Sequence, residues 1–293
     1  MKANSSTDIL LNKLKQDSKD YKNLEIGKYS LNEKKNIIRS LMNIRMPRTA
    51  SDELLKLQDR YLQEELSKKG IVTLFDIPTI KEQYGIESPF AEKISLWQGD
   101  ITRLKAGAIV NAANSQMLGC FVPCHSCIDN AIHSAAGIQL RDECSRIMNQ
   151  RRIHYGKQYE EPTGTATLTL SYNLPCDYVI HTVGPIVYGV LNDEMRQELR
   201  NCYESILKCC VENKIKSVAF CCISTGEFHF PNNEAAQIAV ETVMNFLKTN
   251  HDMERIIFNV FKDVDREIYR KTLSYSRGRV WAEPTKSISA ANA

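Results

Sequence analysis

The sequence predicts an α/β fold: a mixed, mostly parallel sheet layered between helices, preceded by a helical extension. Three observations carry this reading. From residue 92 onward, short apolar runs bounded by turn residues alternate with longer stretches whose apolar residues recur at helical spacing. One of these runs, Ala108-Ile109-Val110, ends in the small polar group Asn111-Ala112-Ala113-Asn114. That is the pattern of a buried strand, and ligands in α/β sheets gather at the carboxyl ends of such strands. Residues 1–90, by contrast, show helical periodicity and few strand signals.

Taken in order, the extension predicts helices near residues 9–14, 31–42 and 50–66. The third is the best marked. Ser51 can cap it, Glu53 sits in the first turn, and Leu54, Leu55, Leu57, Tyr61 and Leu62 recur on one side. Pro47 closes the segment before it. The extension either covers an apolar flank of the main domain or helps to shape its cleft. The main domain, residues 91–275, opens with strands at 94–98 and 109–111. A single helix then starts at Asp129 and continues through Ile132, Ala135, Ala136, Leu140 and Cys144. Strands at 165–171 and 178–183 flank a turn marked by Asn173 and Pro175. A long helix over 194–212 places Leu199, Tyr203, Ile206, Leu207 and Cys210 on one face. A strand at 217–223, a helix at 234–249, a strand at 255–261 and a closing helix at 266–273 complete the pattern. Residues 276–293 read as a disordered tail.

At 293 residues, 43% hydrophobic and 25% charged, the chain can bury a sizeable core. A net charge of +3 is small for this length and argues against a dedicated nucleic-acid binder. No run approaches the length of a membrane span, and the start MKANSSTDILLNKLKQ lacks a signal-peptide core, so a cytoplasmic protein is expected. We expect a monomer. Of the ten cysteines, Cys144, Cys176, Cys202, Cys209, Cys210, Cys221 and Cys222 fall in apolar settings and read as buried, reduced thiols.

Cys120, Cys124, His125 and Cys127 differ, because they crowd into eight positions with metal-ligand spacing. Thiolate and imidazole both suit zinc. Cys120, His125 and Cys127 form C-x4-H-x-C, and Cys124 offers a fourth sulfur. Four ligands would close the site as a structural one, whereas three would leave a position for water or substrate. A second candidate site is the Ser224-Thr225-Gly226-Glu227-Phe228 segment between a strand and a helix. Small residues there free backbone N–H groups to cradle phosphates. Glu227 is unusual in such a place; its carboxylate must point outwards or towards the metal side. Asp129 also suits a helix N-cap, and Asn114 a turn at a strand end. His133 and His181 read as satisfied structural histidines, not metal ligands. No spacing suggests a nucleophilic triad.

Over about residues 92–273 the chain resembles a macrodomain, the ADP-ribose-binding α/β module. The motifs that carry this are GDIT, AIVNAAN, DNAIHSAAG, TGTATLTLSYNLPCDYVIHTVGP and ISTGEFHFP, in that order. The loop GCFVPCHSC stands where macrodomains usually carry a glycine-rich loop, and it resembles the zinc-dependent subfamily that removes ADP-ribose from proteins. The extension string RMPRTASDELLKLQDRYLQEELSKKGIV resembles the helical segment accompanying that subfamily. The resemblance implies Cys120, His125 and Cys127 as zinc ligands. It also implies that Asp129 and Asn114 act on the distal ribose or the attacking water. Asp100 would accept a hydrogen bond from the adenine amino group, with Ile101 lining the pocket. Phe228 would flank the distal ribose, and Phe261 would stack on adenine unless it packs in the core. The implied activity is zinc-dependent hydrolysis of the bond between ADP-ribose and a protein side chain, with mono-ADP-ribosylated protein as substrate. The rivals are a non-catalytic ADP-ribose reader whose zinc braces the loop, and a nucleic-acid or nucleotide phosphate binder of the same fold.

Overall fold

The computed structural model describes residues 5–275, so the expected tail at 276–293 lies outside the described residues. In the extension, α1 (Ser6–Asp17), α2 (Leu31–Ile44) and α3 (Asp52–Lys69) each start at a serine cap: Ser5, Ser30 and Ser51 accept from the amides of Asp8, Glu33 and Leu54. Their apolar stripes form a separate small core of Leu10, Leu11, Leu14, Ile38, Leu41, Met42, Leu54 and Tyr61, which Ile138 of the main domain completes. Next come β1 (Val72–Thr73) and the short α4 (Ile80–Tyr84), whose capping box joins Thr79 and Glu82.

The main domain continues with β2 (Ile94–Gln98), β3 (Leu104–Lys105), β4 (Ala108–Ala113), α5 (Ile128–Ala136), α6 (Ile138–Tyr155), β5 (Thr167–Leu170) and β6 (Tyr178–Val183). Then follow α7 (Asp193–Glu212), β7 (Ser217–Phe220), α8 (Asn232–Thr249), β8 (Arg255–Val260) and α9 (Asp263–Tyr275). The six-stranded sheet has the order β2-β8-β7-β4-β6-β5, and β1 pairs separately with β3. All neighbours in the large sheet run parallel except β5 and β6. Those two are joined by the short turn at Asn173 and Pro175, too short for a crossover, so they pair antiparallel. Helices α7, α8 and α9 pack in succession, while α5 and α6 pack together against β4 and β5. The result is a three-layer α/β/α domain. Every residue of Ala108-Ile109-Val110 is fully buried, as expected of a central strand. Among the described residues, no helix is long and apolar enough to cross a membrane.

Three expectations need correction. The strand expected to reach Ile223 stops at Phe220, and Cys221-Cys222 leaves the ladder towards the carboxyl end of the sheet. Cys209 and Cys222 are half-buried, whereas the other cysteines read as buried are so. The single helix expected from Asp129 to Cys144 is two helices, broken at Gly137, whose φ of +99° favours glycine. A Cβ there would also lie 2.6 Å from Gln58 Nε2. Gln58 is fully buried in α3, and its Oε1 accepts the first amide of α6, that of Ile138, at 2.9 Å. The cap of this helix comes from a residue 80 positions away, so no local signal announces it.

Gly137→Ala should therefore cost about 2 kcal/mol, combining a strained left-handed φ with a clash at Gln58. Urea denaturation of the variant tests this; wild-type stability would mean that the helix break tolerates a side chain.

Candidate functional site

A cleft of about 580 Å³ opens over the carboxyl ends of β4, β7 and β8. It is lined by Asp100, Ile101, Asn114, Cys120, His125, Cys127, Asp129, residues 224–228 and Phe261, all singled out from the sequence; Cys124, the alternative fourth sulfur, does not line it. A second hollow of about 360 Å³ shares Asp100, Ala131 and Phe261 with the cleft and is walled by Lys35, Arg39, Tyr61 and Lys69 of the extension. The extension thus walls a hollow adjoining the cleft as well as covering a flank.

Asp129 is not the N-cap of α5. That place belongs to Cys127, whose Sγ accepts from the Asn130 amide at 3.4 Å. Asp129 lies in the first turn, 5% exposed, and its Oδ1 accepts from Asn111 Nδ2 at 2.8 Å. Burial raises its pKa to about 6, against the opposing pull of the Asn111 hydrogen bond and the Arg141 charge. Asn111 is fully buried on β4, and its Nδ2 also lies 3.1 Å from His181 Nδ1. His181 completes its bonding with Thr169 Oγ1 at 2.9 Å and is the satisfied core histidine expected. His133 is not. Both its ring nitrogens are buried without a hydrogen-bond partner, although Nε2 stands 3.5 Å from Asp129 Oδ1. Burial first, then the neighbouring His181 and Arg141, hold its pKa well below the usual value, so it is neutral near pH 7. The loop crosses above it at Gly119, where φ is +76° and a Cβ would meet the imidazole at 2.8 Å.

The donor atoms of Cys120, His125 and Cys127 lie within 4.8 Å of one another. His125 Nδ1 is buried with no hydrogen-bond partner, which suits a nitrogen awaiting a Lewis acid. Burial pushes the Cys127 thiol up to about 12, so this sulfur is neutral until a cation stabilises its thiolate. Cys124 turns away: its Sγ donates to Asn36 O at 3.4 Å and lies 3.3 Å from Ser40 Oγ. Two sulfurs and one nitrogen converge, a set that fits zinc with a coordination position to spare.

Glu227 reaches back across the cleft, with Oε1 3.7 Å from His125 Nε2. Its side chain is 66% exposed, so it combines both directions open to it, outwards and towards the Cys120–His125–Cys127 loop. The amides of Gly226, Glu227 and Phe228 have no intramolecular acceptor among the described residues, as an anion-binding turn requires. Ser224 holds a left-handed φ of 64° with its hydroxyl buried and unpartnered. Asn114 Oδ1 accepts from the Gln116 amide at 3.1 Å, so it does serve the turn while facing the cleft. Asp100 Oδ1 accepts from the Thr102 amide and hydroxyl at 3.0 and 2.6 Å, and Oδ2 from Lys69 at 3.2 Å. Burial works to raise its pKa, but the Thr102 hydrogen bonds and Lys69 outweigh it and hold it below the usual value. Phe261 is 76% exposed, which removes core packing and leaves a ring presented to the cleft. Sequence reasoning passed over Asn111, Lys262 and Asp265, and took His133 for a satisfied structural histidine. The signal for Asn111 was present, since the Asn-Ala-Ala-Asn group ends the buried run; the others carry no local mark.

Residues 110–239 match the family described as Macro domain. The chain is 48% identical over 242 residues to a protein-ADP-ribose hydrolase of Treponema medium, covering 83% of this chain and 88% of that one. It is 43% identical over 239 residues to a protein-ADP-ribose hydrolase of Staphylococcus aureus, covering 81% and 84% respectively. Among solved structures, the Trypanosoma brucei macrodomain in complex with ADP-ribose aligns with a TM-score of 0.59 at 28% identity, over 84% of this chain and 96% of that one.

The raised pKa of Asp129 has a thermodynamic consequence. A carboxyl whose pKa rises on folding contributes stability below its unfolded pKa, and loses that contribution as pH climbs through the folded value. A rise from 3.8 to about 6 corresponds to on the order of 3 kcal/mol against the folded, metal-free chain at pH 7. Asp129→Asn should therefore stabilise the metal-free chain at pH 7, with the advantage fading as the pH falls from 6 to 4. Chemical denaturation across that range tests it; an advantage independent of pH would place the carboxyl in an ordinary environment.

Proposed function

The chain belongs to the macrodomain family, and from that premise we propose that it hydrolyses the bond joining ADP-ribose to a protein side chain, with zinc held by Cys120, His125 and Cys127. The relatives that share most of its length are named protein-ADP-ribose hydrolases. The observation that carries the reading is the company of Asp129: a buried carboxyl with a pKa raised to about 6, two residues beyond Cys127 of the three-donor loop, in a cleft able to hold a nucleotide.

In this reading adenine lies near Asp100 and Phe261, and the diphosphate lies on the free amides of residues 226–228. Lys69 and Thr102 fix the Asp100 carboxylate before any ligand arrives. At the distal ribose, Asn114 and Asp129 hold hydroxyls and water. The single recorded bond to Asp129, from Asn111, falls on Oδ1, which leaves Oδ2 to take a proton from water. The water oxygen bonds to the anomeric carbon as the bond to the protein side chain breaks, and the proton passes through Asp129 to the leaving group. Neutral His133, against Asp129, keeps the carboxyl from being locked into a salt bridge. Zinc, when bound, supplies a Lewis acid for a ribose oxygen or a water whose pKa falls towards ~7.

Two measurements bear on this. Purified protein should carry about one zinc; Cys120→Ala and Cys127→Ala should lose it, and Cys124→Ala should keep it. Zinc lost from Cys124→Ala but kept by Cys120→Ala would overturn the ligand set. In a release assay on ADP-ribosylated peptides, Asp129→Asn should turn over at least about tenfold more slowly while binding ADP-ribose almost unchanged, because its contribution falls mainly in the transition state. Near-normal turnover would remove the carboxylate from proton transfer. Binding without turnover in the wild-type chain would leave a reader whose metal is structural.

A further inference from the structure

We infer that helix α2 of the extension is part of the metal centre, with Arg39 as the positioning residue that fixes the loop carrying His125. The inference rests on the metal reading above. Asn36, Arg39, Ser40 and Asn43 follow at intervals of three, one and three, which puts them on one face of α2. Ile38, Leu41 and Met42 face the extension's own core, so the polar stripe is free to do something else. It grips the loop. Arg39 Nη2 donates to the carbonyl of His125 at 2.9 Å. Arg39 Nε and Nη2 donate to Asn130 Oδ1 at 3.0 and 2.5 Å. Asn130 is fully buried; its Nδ2 donates to Val122 O at 2.9 Å, and its amide donates to Cys127 Sγ. Asn43 Oδ1 accepts from the Cys124 amide at 3.0 Å, while Asn36 O and Ser40 hold the Cys124 sulfur.

The consequence follows from what a metal demands. Ligand atoms must each stand 2.0–2.3 Å from the metal, and a loop without regular structure must lose its freedom to bring them there. Residues 122, 124, 125 and 127 are each tied, directly or through Asn130, to one helix face. Holding Cys124 by its amide and sulfur also keeps that thiol from competing with Cys120 and Cys127 for the cation. The planar fork of Arg39 spans the His125 carbonyl and Asn130 together, which a lysine ammonium cannot do with the same geometry. Arg39 is half-exposed and its acceptors are neutral, so its removal leaves no buried charge behind.

The test uses the full chain and three variants. Zinc affinity is measured by competition with a chromophoric chelator, ADP-ribose affinity by calorimetry, and stability by thermal melting. Arg39→Ala should bind zinc at least about tenfold more weakly, the usual loss when an outer partner of a metal site is removed. Arg39→Lys should recover part of that loss, and both should bind ADP-ribose within threefold of wild type. Arg48→Ala removes an extension contact to Asp17 outside the loop and should leave zinc affinity unchanged. Wild-type zinc affinity in Arg39→Ala, or an equal loss in Arg48→Ala, would reduce α2 to a general prop and overturn the inference. A wild-type chain that takes up no zinc would sink the metal reading itself, and this inference with it.

Discussion

Arg141 lies in α6 with 4% of its surface exposed, and its guanidinium joins the start of the 118–127 loop to the end of α2. It donates to the carbonyls of Leu118 and Cys120 in the loop, and to those of Met42, Asn43 and Arg45 where α2 ends. Its plane lies over the Phe121 ring at 4.2 Å. Burial lowers its pKa to about 10, which still leaves it charged near neutrality. A buried charge is tolerated only when its donors are satisfied, and here that condition dictates where two chain segments must run. The loop's start and the end of α2 are thus fixed by the same side chain. The charge also draws on Asp129, moderating the rise that burial imposes on that carboxyl.

The sheet supplies the other constraint. Because β2, β8, β7, β4 and β6 run parallel in register, their carboxyl ends finish on one side. The segments that leave them must then meet. Asp100 after β2, Asn114 after β4, residues 221–228 after β7 and Phe261 after β8 border one cleft, although they span more than half the sequence. A parallel sheet cannot avoid this convergence, which is why such folds recur as ligand sites. The loop at residues 118–127 adds two thiols and an imidazole to that convergence.

Within that loop, four residues of similar chemistry are divided by their backbone. Cys124 has a left-handed φ of 54°, and this turns its sulfur towards α2 instead of the cleft. Cys120, His125 and Cys127 face inwards. The same division separates the histidines. His181 spends both ring nitrogens on Asn111 and Thr169, whereas His133 is left with Asp129 as its nearest polar neighbour. An unsatisfied buried imidazole is costly.

Much of this was legible in the sequence. Alternating apolar runs and helical stripes determined the layer architecture, Ser51 marked the start of the third extension helix, and Asn173 and Pro175 placed the turn between β5 and β6, because each signal is local. The site candidates were legible for the same reason: they sit in short motifs at strand ends. What the sequence could not decide were relations between residues far apart. Gln58 caps α6 and breaks a helix that looked continuous; Arg141 and Arg39 tie the extension to the loop; burial raises the Asp129 pKa, and Cys127 takes the cap position that Asp129 also suited. A single spacing of Cys120, Cys124, His125 and Cys127 permits three ligands or four. The tertiary packing of α2 against the loop engages the Cys124 sulfur and leaves Cys120, His125 and Cys127 grouped, since a side chain's availability depends on what else holds it, and that is not written in its neighbours.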